Sequence, residues 1–162
     1  MARTRSTLHA CVRVEQTFDF MSDLRHAPLW DPQASSVEKL TPGPVGLGTR
    51  FLMVGSFLGR EFHMPYEIVG YERPGRLVIE GATRLLRYRD EISFVDEGTG
   101  TRVVYDAAME LRAAPRLVDR ALQLAWNRVA SVATRGMARA IEVHAPAPPS
   151  SRRGLADPPR RC

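Results

Sequence analysis

Four side chains in the middle of the sequence combine chemistry with position: Tyr66, Tyr88, Asp90 and Tyr105. Each lies in a segment that alternates apolar and polar residues, and each shares parity with the apolar set. Tyr66 runs with Phe62, Met64 and Ile68, Tyr88 and Asp90 with Ile92 and Phe94, and Tyr105 with Val103, Ala107, Met109 and Leu111. A buried phenol orients a carbonyl oxygen or stabilises an enolate. A carboxyl group held out of water has its pKa raised toward the range useful for proton transfer. Asp90 is therefore the candidate catalytic acid/base. The structural alternatives are tyrosines bonded to backbone or water at a rim, and an Asp90 set at a sheet end beside Arg84 or Arg89 or turned outward by a bulge.

Other chemistries find no support in the spacing. The Gly46-x-Gly48 and Gly98-x-Gly100 pairs lead into strands instead of opening a helix, so they read as hairpin turns and not as a phosphate cradle. Gly55-Ser56 lacks the surrounding pattern of a nucleophile elbow. His9, His26, His63 and His144 have no metal-ligand spacing, and no metal or cofactor is expected. Cys11 and Cys162 sit at opposite ends, so no disulfide framework can be read, and a reducing, cytoplasmic setting is the expectation.

Net charge is +5, but Arg3, Arg5 and four arginines near the carboxy terminus carry the excess. The body between them is close to neutral, which argues against a nucleic-acid surface. No run of 18 apolar residues exists that would predict a membrane span.

The elements that must position these residues follow from the changing period. Residues 4–13 read as a first strand. Short helical stretches follow around Glu15–Phe20 and Asp23–Trp30, the second closed by Asp31-Pro32. Extended segments are predicted near 49–58, 60–71, 76–82, 86–95 and 101–111, separated by Gly59, Arg73-Pro74-Gly75 and Glu97-Gly98-Thr99-Gly100. Such short turns favour antiparallel neighbours. One face of that sheet needs cover. The segment from Pro115 to about Val143 supplies it, with Val118, Leu122, Ala125, Val129, Val132, Gly136 and Ala140 at helical spacing.

A helix of that length spans about 43 Å, comparable to a curved sheet of ten-residue strands. Its inward stripe includes Ala125, Ala133, Gly136 and Ala140, which are too small to fill a concave sheet. Either large strand side chains fill the hollow or a cavity remains. The Pro, Ser and Arg-rich stretch 145–162 has only Leu155 as a large apolar residue and is expected to be a disordered tail behind a single domain at 1–144.

This order of elements resembles the helix-grip fold of the START/Bet v 1-like (SRPBCC) superfamily, an α+β architecture in which a curved antiparallel sheet wraps one long C-terminal helix, with two short helices after the first strand. The passage Phe18-Asp-Phe-Met-Ser-Asp-Leu-Arg-His-Ala-Pro-Leu-Trp30-Asp31-Pro32 is similar to one found in the polyketide cyclase/dehydrase-like branch. Gly43-Pro-Val-Gly-Leu-Gly-Thr49, Met64-Pro-Tyr66-Glu-Ile with Tyr71-Glu-Arg-Pro74, and Gly98-Thr-Gly-Thr-Arg-Val103 follow in register.

The resemblance implies a cavity for a small hydrophobic molecule (lipid, polyketide or aromatic) or, alternatively, a cyclase or dehydratase of polyketide-like substrates. It carries over no catalytic residue. The ligand-contact candidates are Tyr66, Tyr88, Tyr105, Phe62, Met64, Phe94, Met109, Trp126 and Trp30, the last reading also as a plug between the short helices and the sheet.

Overall fold

The computed structural model describes residues 1–57, 60–111 and 133–145. Seven strands, β1 (Ala2–Ala10), β2 (Ala34–Lys39), β3 (Arg50–Phe57), β4 (Arg60–Glu72), β5 (Arg76–Ala82), β6 (Leu86–Asp96) and β7 (Thr101–Leu111), form one sheet. Its order is β1-β7-β6-β5-β4-β3-β2, antiparallel at every pairing. From β2 to β7 each strand lies beside its chain neighbour. The exception is β1, which pairs with β7 and forms the far edge of the sheet.

The polar-apolar alternation decides the two faces. In β6, Tyr88, Asp90, Ile92 and Phe94 are buried, while Arg89 on the other face pairs with Glu80 of β5. In β7, Val103, Ala107 and Met109 are buried. Register shifts at Ala34/Ser36 and Ile68/Gly70 are bulges that bend the sheet.

Helix α1 (Val14–Ser22) buries Val14, Thr17, Phe18 and Met21, one face at spacings of three and four. It ends at Asp23, whose extended backbone breaks the helix and whose side chain accepts from the Arg25 amide. The second short helix, expected at Asp23–Trp30, is a 3-10 helix over Leu24–Leu29. Pro28 lies inside it and supplies no N–H, and the bonds close over three residues, His26 to Asp23 and Trp30 to Ala27. Strand β2 is an addition to the sequence-based expectation. The first strand starts and stops earlier than expected, and the others agree to within a residue or two.

Residues 133–144 are helical and are called α2. The remainder of the long-helix expectation, with Trp126, lies outside the described residues, as do Gly59 and the tail from 146 onward. Among the described residues no helix is long and apolar enough to cross a membrane.

The core fills one end of the sheet. Phe18 from α1 meets Tyr71 and Phe94 edge-on, with ring centroids 5.0 and 5.1 Å apart. Met137 and Ile141 of α2 join Leu8, Leu77, Ile92, Phe94 and Val103 in the same cluster. Gly136 lets α2 come close to the chain after the 3-10 helix: a Cβ there would lie 2.8 Å from the Trp30 carbonyl oxygen. The small stripe on α2 is thus used at this point for close backbone approach.

Candidate functional site

Toward the opposite end of the sheet the rows of side chains become smaller. Tyr105 lies beside Ile92 and Ser6, Asp90 beside Ala107, and Ala107 beside Thr4. With these small residues on β1 and β7, a cavity of about 450 Å³ remains between the sheet, the 3-10 helix and α2. Its size is typical of small-molecule sites. Ala133, Thr134 and Met137 face it from α2, Leu24 and Ala27 from the 3-10 helix, and the exposed Leu85 stands at the turn between β5 and β6.

Tyr66 and Tyr88 belong to strands separated by β5, and Gly81 is the residue paired with both. A Cβ at Gly81 would sit 2.9 Å from Cε1 of Tyr88 and 2.5 Å from the Pro65 carbonyl oxygen. The missing side chain lets the two rings meet edge-on across it, centroids 4.6 Å apart. The Tyr88 hydroxyl is buried without a hydrogen-bond partner among the described residues.

Asp90 is 7% exposed. Its Oδ2 accepts a hydrogen bond of 2.8 Å from the Tyr105 hydroxyl, one strand over and diagonal in register. Arg89 is directed to the outer face, so the arginine pairing considered for Asp90 gives way to a phenol pairing. Burial lifts the Asp90 carboxyl to about 7. The Tyr105 hydrogen bond opposes that shift and the charge of Asp31 adds to it. The phenols of Tyr66 and Tyr105 are pushed well above their ordinary value, by burial first and then by the two aspartates.

Tyr66, Tyr88, Asp90, Tyr105, Phe62, Met64, Met109 and Trp30 all line the cavity. Phe94 does not: its ring is in the filled end against Phe18. Trp30 packs on both the main core and the smaller cluster around Met53, Met64 and Met109.

Asp31 is an acidic wall residue that sequence reasoning missed, having read it as a helix stop. Its Oδ1 accepts the Gln33 amide at 2.9 Å, and burial raises its pKa against that bond. Its place beside Trp30 in the Trp-Asp-Pro passage was the available signal. Among the described residues no three His, Cys, Asp or Glu side chains are grouped to hold a metal.

A curved antiparallel sheet, short helices after β1 and a C-terminal helix over an apolar cavity define a START/Bet v 1-like helix-grip protein. The chain belongs to the family described as polyketide cyclase / dehydrase and lipid transport, which matches residues 1–142. No curated protein matches it by sequence.

Among solved structures it is similar to TTHA0849 from Thermus thermophilus, at 20% identity and a TM-score of 0.72, covering 86% of this chain and 96% of that one. A START superfamily protein from Mycobacterium smegmatis follows at 13% identity and 0.68, covering 90% and 97%. The di-domain ARO/CYC StfQ from the steffimycin biosynthetic pathway matches at 13% identity and 0.69, covering 89% of this chain and 50% of StfQ.

Proposed function

We propose that this protein, as a single domain over residues 1–144, binds a small hydrophobic molecule between the C-terminal helix α2 and the sheet, with Tyr66, Tyr88 and Tyr105 setting its orientation. The observation that carries this reading is the cavity of about 450 Å³, walled mainly by apolar side chains around a few convergent polar groups. Membership of a family whose description includes lipid transport supports it.

Native mass spectrometry of freshly purified protein tests the reading, together with titration of an uncharged environment-sensitive dye. A co-purified apolar species, or dye binding with Kd on the order of 1 μM, is expected. The absence of any bound species, together with no dye binding up to about 100 μM, overturns it.

A second reading, a cyclase or dehydratase, is favoured by Asp90. A carboxyl with a pKa of about 7, bonded to a phenol inside a cavity, holds a proton at neutral pH and gives it up readily. Protonated, Asp90 donates to a carbonyl oxygen or a departing hydroxyl. Ionised, it accepts a proton from a carbon next to a carbonyl, while Tyr105 holds its second oxygen in place. The likeness to the ARO/CYC protein StfQ is in keeping with that chemistry.

A further inference from the structure

We propose that the cavity selects a hydrophobic amine, an apolar body carrying a protonated nitrogen that binds between Asp31 and Asp90 and against the tyrosine rings, and that it discriminates against carboxylates of the same shape. The inference rests on the binding reading above and specifies its ligand class.

Two carboxyl groups face one apolar cavity, and each has one oxygen engaged: Asp90 Oδ2 by Tyr105, Asp31 Oδ1 by the Gln33 amide. No hydrogen bond or ion pair engages the second oxygen of either among the described residues. Among the described residues, the carboxyl groups of Asp31 and Asp90 are therefore the wall's acidic groups, each with one oxygen open to a donor. The wall contributes no Lys or Arg among the described residues, and its one imidazole, His63, is bonded to Glu61 on the exposed side.

Tyr88 provides an independent sign. It is 5% exposed, it lines the same cavity, and its hydroxyl oxygen lacks a partner among the described residues, which costs free energy until a ligand group supplies one. An ammonium has several donors and no acceptor, which suits two free carboxylate oxygens and a phenol oxygen. The rings of Tyr66, Tyr88 and Tyr105 line the same wall, and aromatic faces attract cations. A ligand carboxylate would instead bring a further negative charge beside Asp31 and the ionised fraction of Asp90 in the same low-dielectric space.

Charge linkage makes the proposal measurable. Among the described residues, the titratable groups on the same wall as Asp90 are Tyr88 on its own strand, Tyr105 on β7, Tyr66 and the Glu61-bonded His63 on β4, and Asp31 after the 3-10 helix. The wall residues of β1 and β5 and the described part of α2 carry no titratable group. Asp90 holds its proton in about half of the molecules near pH 7 when the cavity is empty. An ammonium beside it stabilises the carboxylate, so amine binding expels that proton, whereas a neutral analogue leaves it in place.

The test uses three matched probes, 2-(1-naphthyl)ethylamine, 2-(1-naphthyl)ethanol and 1-naphthylacetate, titrated calorimetrically into the full chain in buffers of different ionisation enthalpy. The amine is expected to bind at least about tenfold tighter than the alcohol, the acetate at least about tenfold weaker. Amine binding at pH 7 is expected to release about half a proton, and its advantage over the alcohol to grow from pH 6 to pH 8. In Asp90→Asn the proton release disappears, and in Asp90→Asn or Asp31→Asn the preference shrinks to about threefold or less while the alcohol still binds.

An alcohol that binds as tightly as the amine, or amine binding without proton release, overturns the amine assignment and leaves the binding reading intact. Failure of all three probes removes both. The wild-type pH series decides the matter even where a variant does not fold.

Discussion

The Tyr105 hydroxyl reaches Asp90 Oδ2 at 2.8 Å from the neighbouring strand, although the register partner of Asp90 is Ala107 and that of Tyr105 is Ile92. The diagonal contact exists because Ala107 is too small to occupy the space above the carboxyl. One small residue therefore both opens the cavity and leaves the acid within reach of a phenol.

The pH dependence of stability follows from this environment. The folded-state pKa of Asp90, about 7, lies above the ordinary 3.8, so between those values the native state holds a proton that the unfolded chain has lost. The contribution of Asp90 to stability is then highest at and below pH 4, falls as pH rises through that window, and carries the full penalty above pH 7, on the order of a few kcal/mol. In ligand-free protein Asp90→Asn is expected to raise Tm at pH 8 and to change it little at pH 4. Thermal melts followed by circular dichroism at the two pH values check this, and an equal shift at both would contradict it.

Gly136 separates helix propensity from packing. Alanine is about 1 kcal/mol better than glycine inside a helix, so propensity alone predicts that Gly136→Ala stabilises. The new Cβ would lie 2.8 Å from the Trp30 carbonyl oxygen, a backbone atom that yields only if the whole segment shifts. The expected net result is a Tm lower by about 3–8 °C, together with weaker dye binding, because the same segment carries Trp30 and Asp31 on the cavity wall. A higher Tm would show that α2 and this segment can move apart without cost.

Ala107 offers a way to close the cavity from the sheet side. It is buried on the wall opposite α2, in the row of Asp90 and Thr4. In Ala107→Phe the ring is directed into a space of about 450 Å³, where it fills void and displaces the Tyr105 hydroxyl from Asp90. Dye affinity is expected to drop by about tenfold or more with Tm within a few degrees of the parent. Unchanged affinity would place the bound molecule elsewhere.

Much of this architecture is written locally in the chain. The two-residue alternation in β4, β6 and β7 determines which side chains face inward, because each Cβ of a pleated strand points opposite to the last. That was sufficient to bring Tyr66, Tyr88, Asp90 and Tyr105 to one face. Alternation assigns a face but not a depth. Phe94 has the same parity as Tyr88 and Asp90, yet its ring is sealed against Phe18, because α1 covers that end of the sheet and leaves the other open.

Strand β2 was illegible for a different reason. Its residues, Ala-Ser-Ser-Val-Glu-Lys, bury only Ala34 fully, and pairing to β3 through a bulge is what makes them a strand.

Asp31 depended on a contact over a hundred residues long in sequence. As a helix stop before Pro32 it was visible, but its presence on the cavity wall follows from the Trp30 backbone settling onto Gly136. The meeting of Tyr66 with Tyr88 likewise needed Gly81 to fall between them in register. Local sequence set the period and the breaks, since these arise from backbone geometry within a few residues. Which inward residues share a cavity depended on what packed above each row, and only the tertiary structure decided that.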